Sequence, residues 1–442
     1  MPYINAGRLR CLPMATRTLV WFRDDLRIAD NAALTWAAER GEVVCLFVHE
    51  TVGRPLGAAA AWWQRRSLDS LRGSLSAPLI EVAGDPREVV PALARELGAE
   101  VTWNRRYRLI EVDAEIKEAT GAVTHPGFLL AEPWEVRTGA GGPYRVFTPF
   151  FKAMQSLLGD APPTPQPAPG LTPAGVEPVA PPRDAVPSWA ASLAEHNTPG
   201  ESAAEQRLSA FLAEIAAGEA YDNDALAGLT SGLSPHLRFG EISPAAVWHA
   251  AAEAGAWSFL RQLVWRDFAW HRFYHVPDMA TRNVRPQFDR FDWEWTPGEV
   301  PDDLAAWQSG RTGVPLVDAG MRELWAAGRM HNRVRMVAGS WLTKNLGIHW
   351  RHGEEWFWDT LVDADEASNA FNWQWVAGSG DDAAPYFRVF NPLTQAEKFD
   401  PHGDYVRRWV PEVNTPLYPE PMVDVAQSRR AALAAYDDIR NG

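Results

Sequence analysis

Residues 161–187, "APPTPQPAPGLTPAGVEPVAPPRDAVP", contain ten prolines. Proline lacks the backbone N–H and fixes φ, so such a run suits neither a helix interior nor a central strand. It reads as an extended linker crossing the surface rather than as an element. The linker divides a 442-residue chain, already long for one hydrophobic core, into two parts with different apolar patterns.

Before the linker, short apolar runs alternate with amphipathic ones. "TLVWF" (18–22), "VVCLFV" (43–48), "LIEVA" (79–83) and "EVTWN" (100–104) are strand-like, and "NAALTWAAER" and "PREVVPALARELG" are helix-like. This alternation predicts a parallel α/β sheet with crossover helices. The loop "RDDLRIADN" lies at the carboxyl end of the first strand, where such sheets bind ligands. Neither the glycine fingerprint of dinucleotide folds nor a P-loop occurs, so their usual chemistry has no support. After the linker the strand signal fades. Helical periodicity runs through "ESAAEQRLSAFLAEIAAGEA", "SFLRQLVWRDFAWHRFYH", "NRVRMVAGSWLTKNLG" and "EEWFWDTLV". The expected architecture is an α/β domain over 16–150, a proline-rich linker over 151–199 and an all-helical domain over 200–442.

No run approaches the roughly 20 apolar residues of a membrane span, and the N-terminus lacks an apolar signal core. Cys11 and Cys45 make neither a disulfide framework nor a zinc site, so a cytosolic protein is expected. Met14 is an alternative start to Met1, since the first strand-like run begins at Thr18. The net charge of −14 argues against a surface attractive to nucleic acid as a whole. Charge is uneven, however: residues 192–256 hold nine acids against two arginines, whereas 322–352 hold six Lys/Arg and three His against Glu323 alone. A local basic face and a solvated helix surface both fit that run. The 22 tryptophans suit packing, stacking of flat ligands or electron transport.

Three stretches carry chemistry. In "DADEASNAFNWQWVAGSG" (363–380), Asp365, Asn369 and Trp373 recur at i, i+4, placing a carboxylate, an amide and an indole on one helix face. A solvated face has no use for the indole and a core face none for the polar pair, so a bound organic ligand is the reading. In "LTSGLSPHLRFGEISP" (229–244), Ser234-Pro235 and Ser243-Pro244 read as N-caps followed by proline. A Thr/Ser/Gly turn there also suits a phosphate. In "MHNRVRM" (330–336), Asn332, Arg333 and Arg335 crowd one helix start. Asp363 is either a capping-box residue with Glu366 or the partner of a buried arginine.

Taken with "GSGDDAAPYFRVFNPLTQAEKFD" (378–400), "WFRDDLRIADN", "LVWRDF" and "GMRELWAAGRMHNRVRMV", these motifs resemble the photolyase/cryptochrome family. They are most similar to its microbial class I cyclobutane pyrimidine dimer (CPD) photolyases, over about Thr18 to Pro411. The resemblance implies a helical domain holding FAD, fully reduced when active, and light-driven electron donation that reopens dimers in UV-damaged DNA. Tyr221, Thr230, Ser231, Gly232, Leu233 and Ser234 would wrap the FAD phosphates and ribityl chain. Asp363 would pair with Arg335 beside the isoalloxazine, with Ala364 and Asp365 along its polar edge. Asn369 would face flavin N5, as donor or acceptor. Trp373, Trp350 and Trp293 would carry electrons to the surface, with Trp295 an alternative to Trp293. The dimer pocket would be walled by Trp265 and Trp375, with Gln262, Asn332, Arg333, Met336 and Gln395 around them. Arg266 and the basic run 322–352 would meet DNA phosphates.

The chain departs from the family pattern at several positions. Gln262 stands where dimer photolyases usually carry Glu; Gln at that position is common in (6-4) photolyases and animal cryptochromes, whereas Asn332 and Met336 keep the CPD pattern. Ala269 replaces a frequent Tyr, and Arg329 an expected Trp. In "NRRYR" (104–108), Arg108 replaces the Glu of folate-using relatives, which disfavours methenyltetrahydrofolate and leaves a deazaflavin, a second flavin or no antenna. The resemblance also implies a monomer and no metal. Alternatives are a cryptochrome photoreceptor, disfavoured because about thirty residues follow Pro411, and (6-4) photoproduct repair. A light-independent flavin oxidoreductase, disfavoured by the missing glycine fingerprint and the "NWQW" context, and a colourless DNA-binding protein, which would not need the stripe, are further alternatives.

Overall fold

The computed structural model describes residues 16–159, 164–180, 187–218, 221, 226, 228–294, 302–383 and 387–441. Its strands are β1 (Thr16–Phe22), β2 (Gly41–Glu50), β3 (Leu79–Gly84), β4 (Glu100–Asn104), β5 (Val123–His125) and β6 (Thr172–Pro173). The first helices are α1 (Ala32–Ala38), α2 (Ala58–Ser74), α3 (Pro86–Leu97), α4 (Ile110–Thr120) and α5 (Phe147–Leu158). Beyond the linker come α6 (Leu193–His196), α7 (Glu201–Ala216), α8 (Ser234–Arg238), α9 (Pro244–Glu253), α10 (Trp257–His275), α11 (Asp302–Gln308) and α12 (Pro315–Ala327). The series ends with α13 (Asn332–Ser340), α14 (Trp350–Thr360), α15 (Glu366–Ala377), α16 (Pro392–Phe399), α17 (Asp404–Trp409) and α18 (Val425–Asn441).

The first part is the expected parallel sheet, in the order β3-β2-β1-β4-β5. Its central strands are apolar on both faces because both are covered. Val20 and Phe22 of β1 join Val43, Cys45 and Phe47 of β2 under α1 and α2. Leu19 and Trp21 join Val44, Leu46 and Val48 on the opposite face, under α3 and α4. The proline-rich segment does more than cross the surface. Thr172 and Pro173 add a short parallel strand beside Glu42 and Val43, and Val179 accepts from Glu81 N–H at 2.5 Å. Proline is tolerated there because the strand is at the sheet edge.

Strand order reverses between β1 and β4, the switch point where a ligand was expected. Ion pairs line it. Arg23 holds Asp113 at 2.5 Å, Arg106 holds Glu50 at 2.6 Å, and Arg108 reaches Asp24 at 3.4 Å and Glu50 at 3.7 Å. The "RDDLRIADN" loop docks on the helical domain: Arg238 pairs with Asp24 at 2.8 Å, and Leu26 N–H donates to Phe239 O at 3.0 Å. Gly240 allows this approach, since a Cβ there would lie 2.1 Å from Asp24 O.

The helical domain packs around α10, α13, α14 and α15 in two apolar clusters. A ladder of stacked indoles, Trp189 on Trp325 at 4.8 Å and Trp325 on Trp356 at 5.7 Å, ties the end of the linker to α12 and α14. No described helix is long and apolar enough to cross a membrane.

Candidate active site

α15 begins where Asp365 accepts Ser368 N–H at 2.6 Å, so Asp365, not Asp363, is its N-cap. Asp363 is thereby freed for other partners. It takes a terminal N–H of Arg335 on both oxygens, at 3.2 and 3.0 Å, and the Ser234 hydroxyl at 2.6 Å. Although burial opposes its charge, Arg335, Ser234 and Arg329 hold the Asp363 carboxyl below the usual range. Ser234, expected as an N-cap, is spent on this contact. Leu233 occupies the cap position of the five-residue α8, whereas Ser243 caps α9 as expected, accepting Ala246 N–H at 2.9 Å.

Asn369 and Trp373 follow Asp365 on α15, and all three are buried. The Asn369 amide is held by its nitrogen, which donates to Glu354 O at 2.9 Å and Glu354 Oε1 at 2.8 Å. Arg54, on the loop after β2, clamps the Glu354 carboxylate at 2.7 and 3.0 Å. Burial pushes the Glu354 pKa up and Arg54 pulls it back. The Asn369 oxygen is therefore the atom left to face a ligand. Sequence reasoning missed Arg54 and Glu354; the available signal was a carboxylate among the aromatic residues of "GEEWFW".

The Trp373 ring lies flat against α14, where a Cβ on Gly353 would come within 2.1 Å of it. Trp350 opens the same helix one turn earlier, fully buried, its indole N–H on Asn283 Oδ1 at 2.9 Å. His349 stacks on Trp350 at 5.5 Å and meets Trp293 edge-on at 5.1 Å. Trp293 donates to Thr343 O at 2.8 Å. The three tryptophans thus share one packed cluster, with a histidine between the last two. Trp295 lies outside the described residues.

The dimer-pocket set is split between two helices and a loop. Gln262 and Trp265 stand one turn apart on α10, Trp265 stacked on Phe147 at 3.5 Å. Asn332 and Met336 lie one turn apart on α13, and Trp375 donates to Asp382 O at 3.1 Å. Arg333 covers the Phe399 ring at 4.5 Å. Gln395 has a buried Oε1 with no partner among the described residues. Arg266 is a correction. Its guanidinium turns inward, onto Phe128 O at 2.8 Å and Leu237 O at 3.3 Å, because those carbonyls need donors where the two domains meet. Several cations of 322–352 are paired or buried as well. Arg322 is spent on Glu412, Arg335 on Asp363 and Arg351 on Glu355, and Lys344 is buried against the Phe387 ring.

The remaining expected residues sit where the turn puts them. Tyr221 packs edge-on to Phe211 and Phe259, at 5.8 and 5.7 Å. Thr230 is exposed and Ser231 and Gly232 half-buried, while Leu233 is buried beneath them. Ala364 O accepts Arg238 Nε–H at 2.9 Å. Exposed hydroxyls, a glycine turn, a fixed amide and a neutralised carboxylate form a donor set suited to a flavin dinucleotide.

Residues 18–169 match the family description of DNA photolyase, and residues 259–438 match that of the FAD binding domain of DNA photolyase. The chain belongs to the photolyase/cryptochrome family. A deoxyribodipyrimidine photo-lyase of Agrobacterium fabrum is 42% identical, over 96% of this chain and 98% of that one. One from Thermus thermophilus is 38% identical, over 96% and 99%. A solved bacterial class III photolyase from Agrobacterium tumefaciens superposes with a TM-score of 0.88 at 40% identity, covering 99% of this chain and all of that one. The expected class I subclass is thus corrected: the similar photolyase structure is of class III.

Proposed function

We propose that this protein is a deoxyribodipyrimidine photo-lyase, a carbon–carbon lyase that repairs cyclobutane pyrimidine dimers in DNA under light. When bound and reduced, FAD supplies the absorbed light and the electron that opens the cyclobutane ring. The residues hold, orient and connect. Tyr221 and the 230–234 turn hold the dinucleotide. Asp363 with Arg335, Ala364 and Asp365 line the ring's polar edge. Asn369 offers its oxygen as acceptor at N5. Trp373, Trp350 and Trp293 connect the site to the surface. Trp265 and Trp375 wall the pocket for the extruded dimer, with Gln262, Asn332, Arg333, Met336 and Gln395 as its polar and thioether contacts. The observation that carries this reading is the buried α15 face, where an amide pinned through its nitrogen is followed one turn later by the first of three packed indoles.

The division at residues 150 and 199 belongs to the same proposal, as do a monomeric state and a cytoplasmic, nucleoid-associated location. A second chromophore, where one is bound, is a deazaflavin or flavin rather than methenyltetrahydrofolate, since Arg108 is committed to Asp24, Glu50 and Glu366. Mass and absorption of the released chromophores test this. For the activity, the anaerobically reduced protein is incubated with an oligothymidylate carrying one cyclobutane dimer, in blue light and in darkness, beside a flavin-stripped control. Light- and flavin-dependent return of intact thymines is expected. Bound reduced flavin without repair would remove the CPD assignment and favour a (6-4) substrate.

A further inference from the structure

Three guanidinium groups converge beneath the 230–234 turn. Arg207, from α7, donates Nε–H to Ser231 O at 2.6 Å and a terminal N–H to Thr230 O. Arg329, between α12 and α13, hangs by its Nε from Asn197 Oδ1 at 2.5 Å, and no described residue bonds its terminal nitrogens. Arg335 is the third, shared with Asp363. Gly232 lets them approach: its φ is +64°, and a Cβ there would stand 3.0 Å from Arg207 Nε and 3.5 Å from Arg329 Nη1.

The charges do not balance. Asp363 and Glu323 act on Arg329 favourably, and Arg207 and Arg335 oppose it. Asp363 is already neutralised by Arg335. Glu323, bonded by Tyr405, is itself pushed toward its neutral form by burial. Arg207, Arg329 and Arg335 therefore share Asp363 as the one carboxylate held in its charged form around them among the described residues, with Arg329 half-buried. A bound dianion would balance them, and guanidinium forks match phosphate oxygens.

We propose that Arg329, with Arg207 beside it, clamps the diphosphate of the bound dinucleotide. This rests on the flavin reading above and adds to it the residues that select a diphosphate. The aromatic residue expected at 329 would give shape there; the arginine gives charge.

The test titrates flavin-stripped full-length protein with FAD, ADP, riboflavin and a single-stranded oligonucleotide, in wild type, Arg329→Gln, Arg329→Lys and Arg207→Met, with folding checked by circular dichroism. Arg329→Gln should weaken FAD and ADP about tenfold to a hundredfold and leave riboflavin unchanged. Lysine should fall between, and the salt dependence of ADP binding should flatten in both neutral variants. Equal weakening of riboflavin would mean a packing role and overturn the clamp, as would unchanged FAD and ADP affinities. Wild type that binds ADP through Arg329 but not FAD would remove the flavin reading while keeping the clamp. Loss of single-stranded DNA binding with ADP unaffected would assign the arginines to nucleic acid and end the proposal.

Discussion

At residue scale, the amide of Asn369 is decided by a neighbour. An isolated asparagine offers donor or acceptor equally, but Glu354 takes the donor, so the site receives an oxygen. An acceptor favours a protonated N5 over an unprotonated one. Replacing Glu354 by Leu, which leaves only the backbone acceptor, or Arg54 by Met should weaken that preference, worth about 1 kcal/mol for one hydrogen bond. The reduced flavin of either variant should then reoxidise in air several-fold faster than wild type, followed by absorbance after anaerobic reduction; equal rates would show that Glu354 does not set the orientation. The sequence announced Asn369, Trp373 and the Asp363 pair because helical spacing and charge type carry them. It was silent on Arg54 and Glu354, since 300 positions separate them, and it misplaced Arg266, whose burial no local pattern reveals.

At the scale of elements, α10 shows how packing fixes a protonation state. Its His271 accepts Tyr144 N–H on Nε2 at 3.1 Å and faces Pro133 O through Nδ1 at 3.2 Å, a pattern only the neutral ring satisfies. Burial, with His275 and Arg272 nearby, holds its pKa down at about 3. In the unfolded chain it is near 6.5, so the unfolded state binds more protons between those values. This contribution is complete above about pH 6.5 and declines as pH falls toward 3. Glutamine keeps one acceptor and one donor, so His271→Gln should escape that decline. Between pH 7.5 and 5 the stability difference should shift by about 2 kcal/mol in the variant's favour, read from urea unfolding at both pH values. The elements themselves were legible wherever period and capping agreed, as in β1, β2 and α9. The short strand of the proline-rich segment was not, because edge pairing depends on a neighbour rather than on the segment's own residues.

At the scale of the molecule, the two domains are joined by buried charge. Asp24 faces Arg238 and Arg108, which outweigh its burial and hold its carboxyl far below the ordinary range. Its contribution is present above about pH 4 and is lost as pH falls through the depressed value. Asp24→Asn would strip Arg238 of its carboxylate partner and Arg108 of one of three, and should cost about 3–5 kcal/mol at neutral pH. Thermal unfolding followed by calorimetry should show a lower or split transition; an unchanged melt would mean the interface rests on its apolar contacts. The Arg54 contact carries a consequence for shuffling and transplantation. A hybrid that grafts a foreign sheet domain onto these helices would inherit the amide but not the cation that orients it. The graft would remain folded and coloured yet be mistuned at its centre, unless the loop after the second strand were transplanted with the helices.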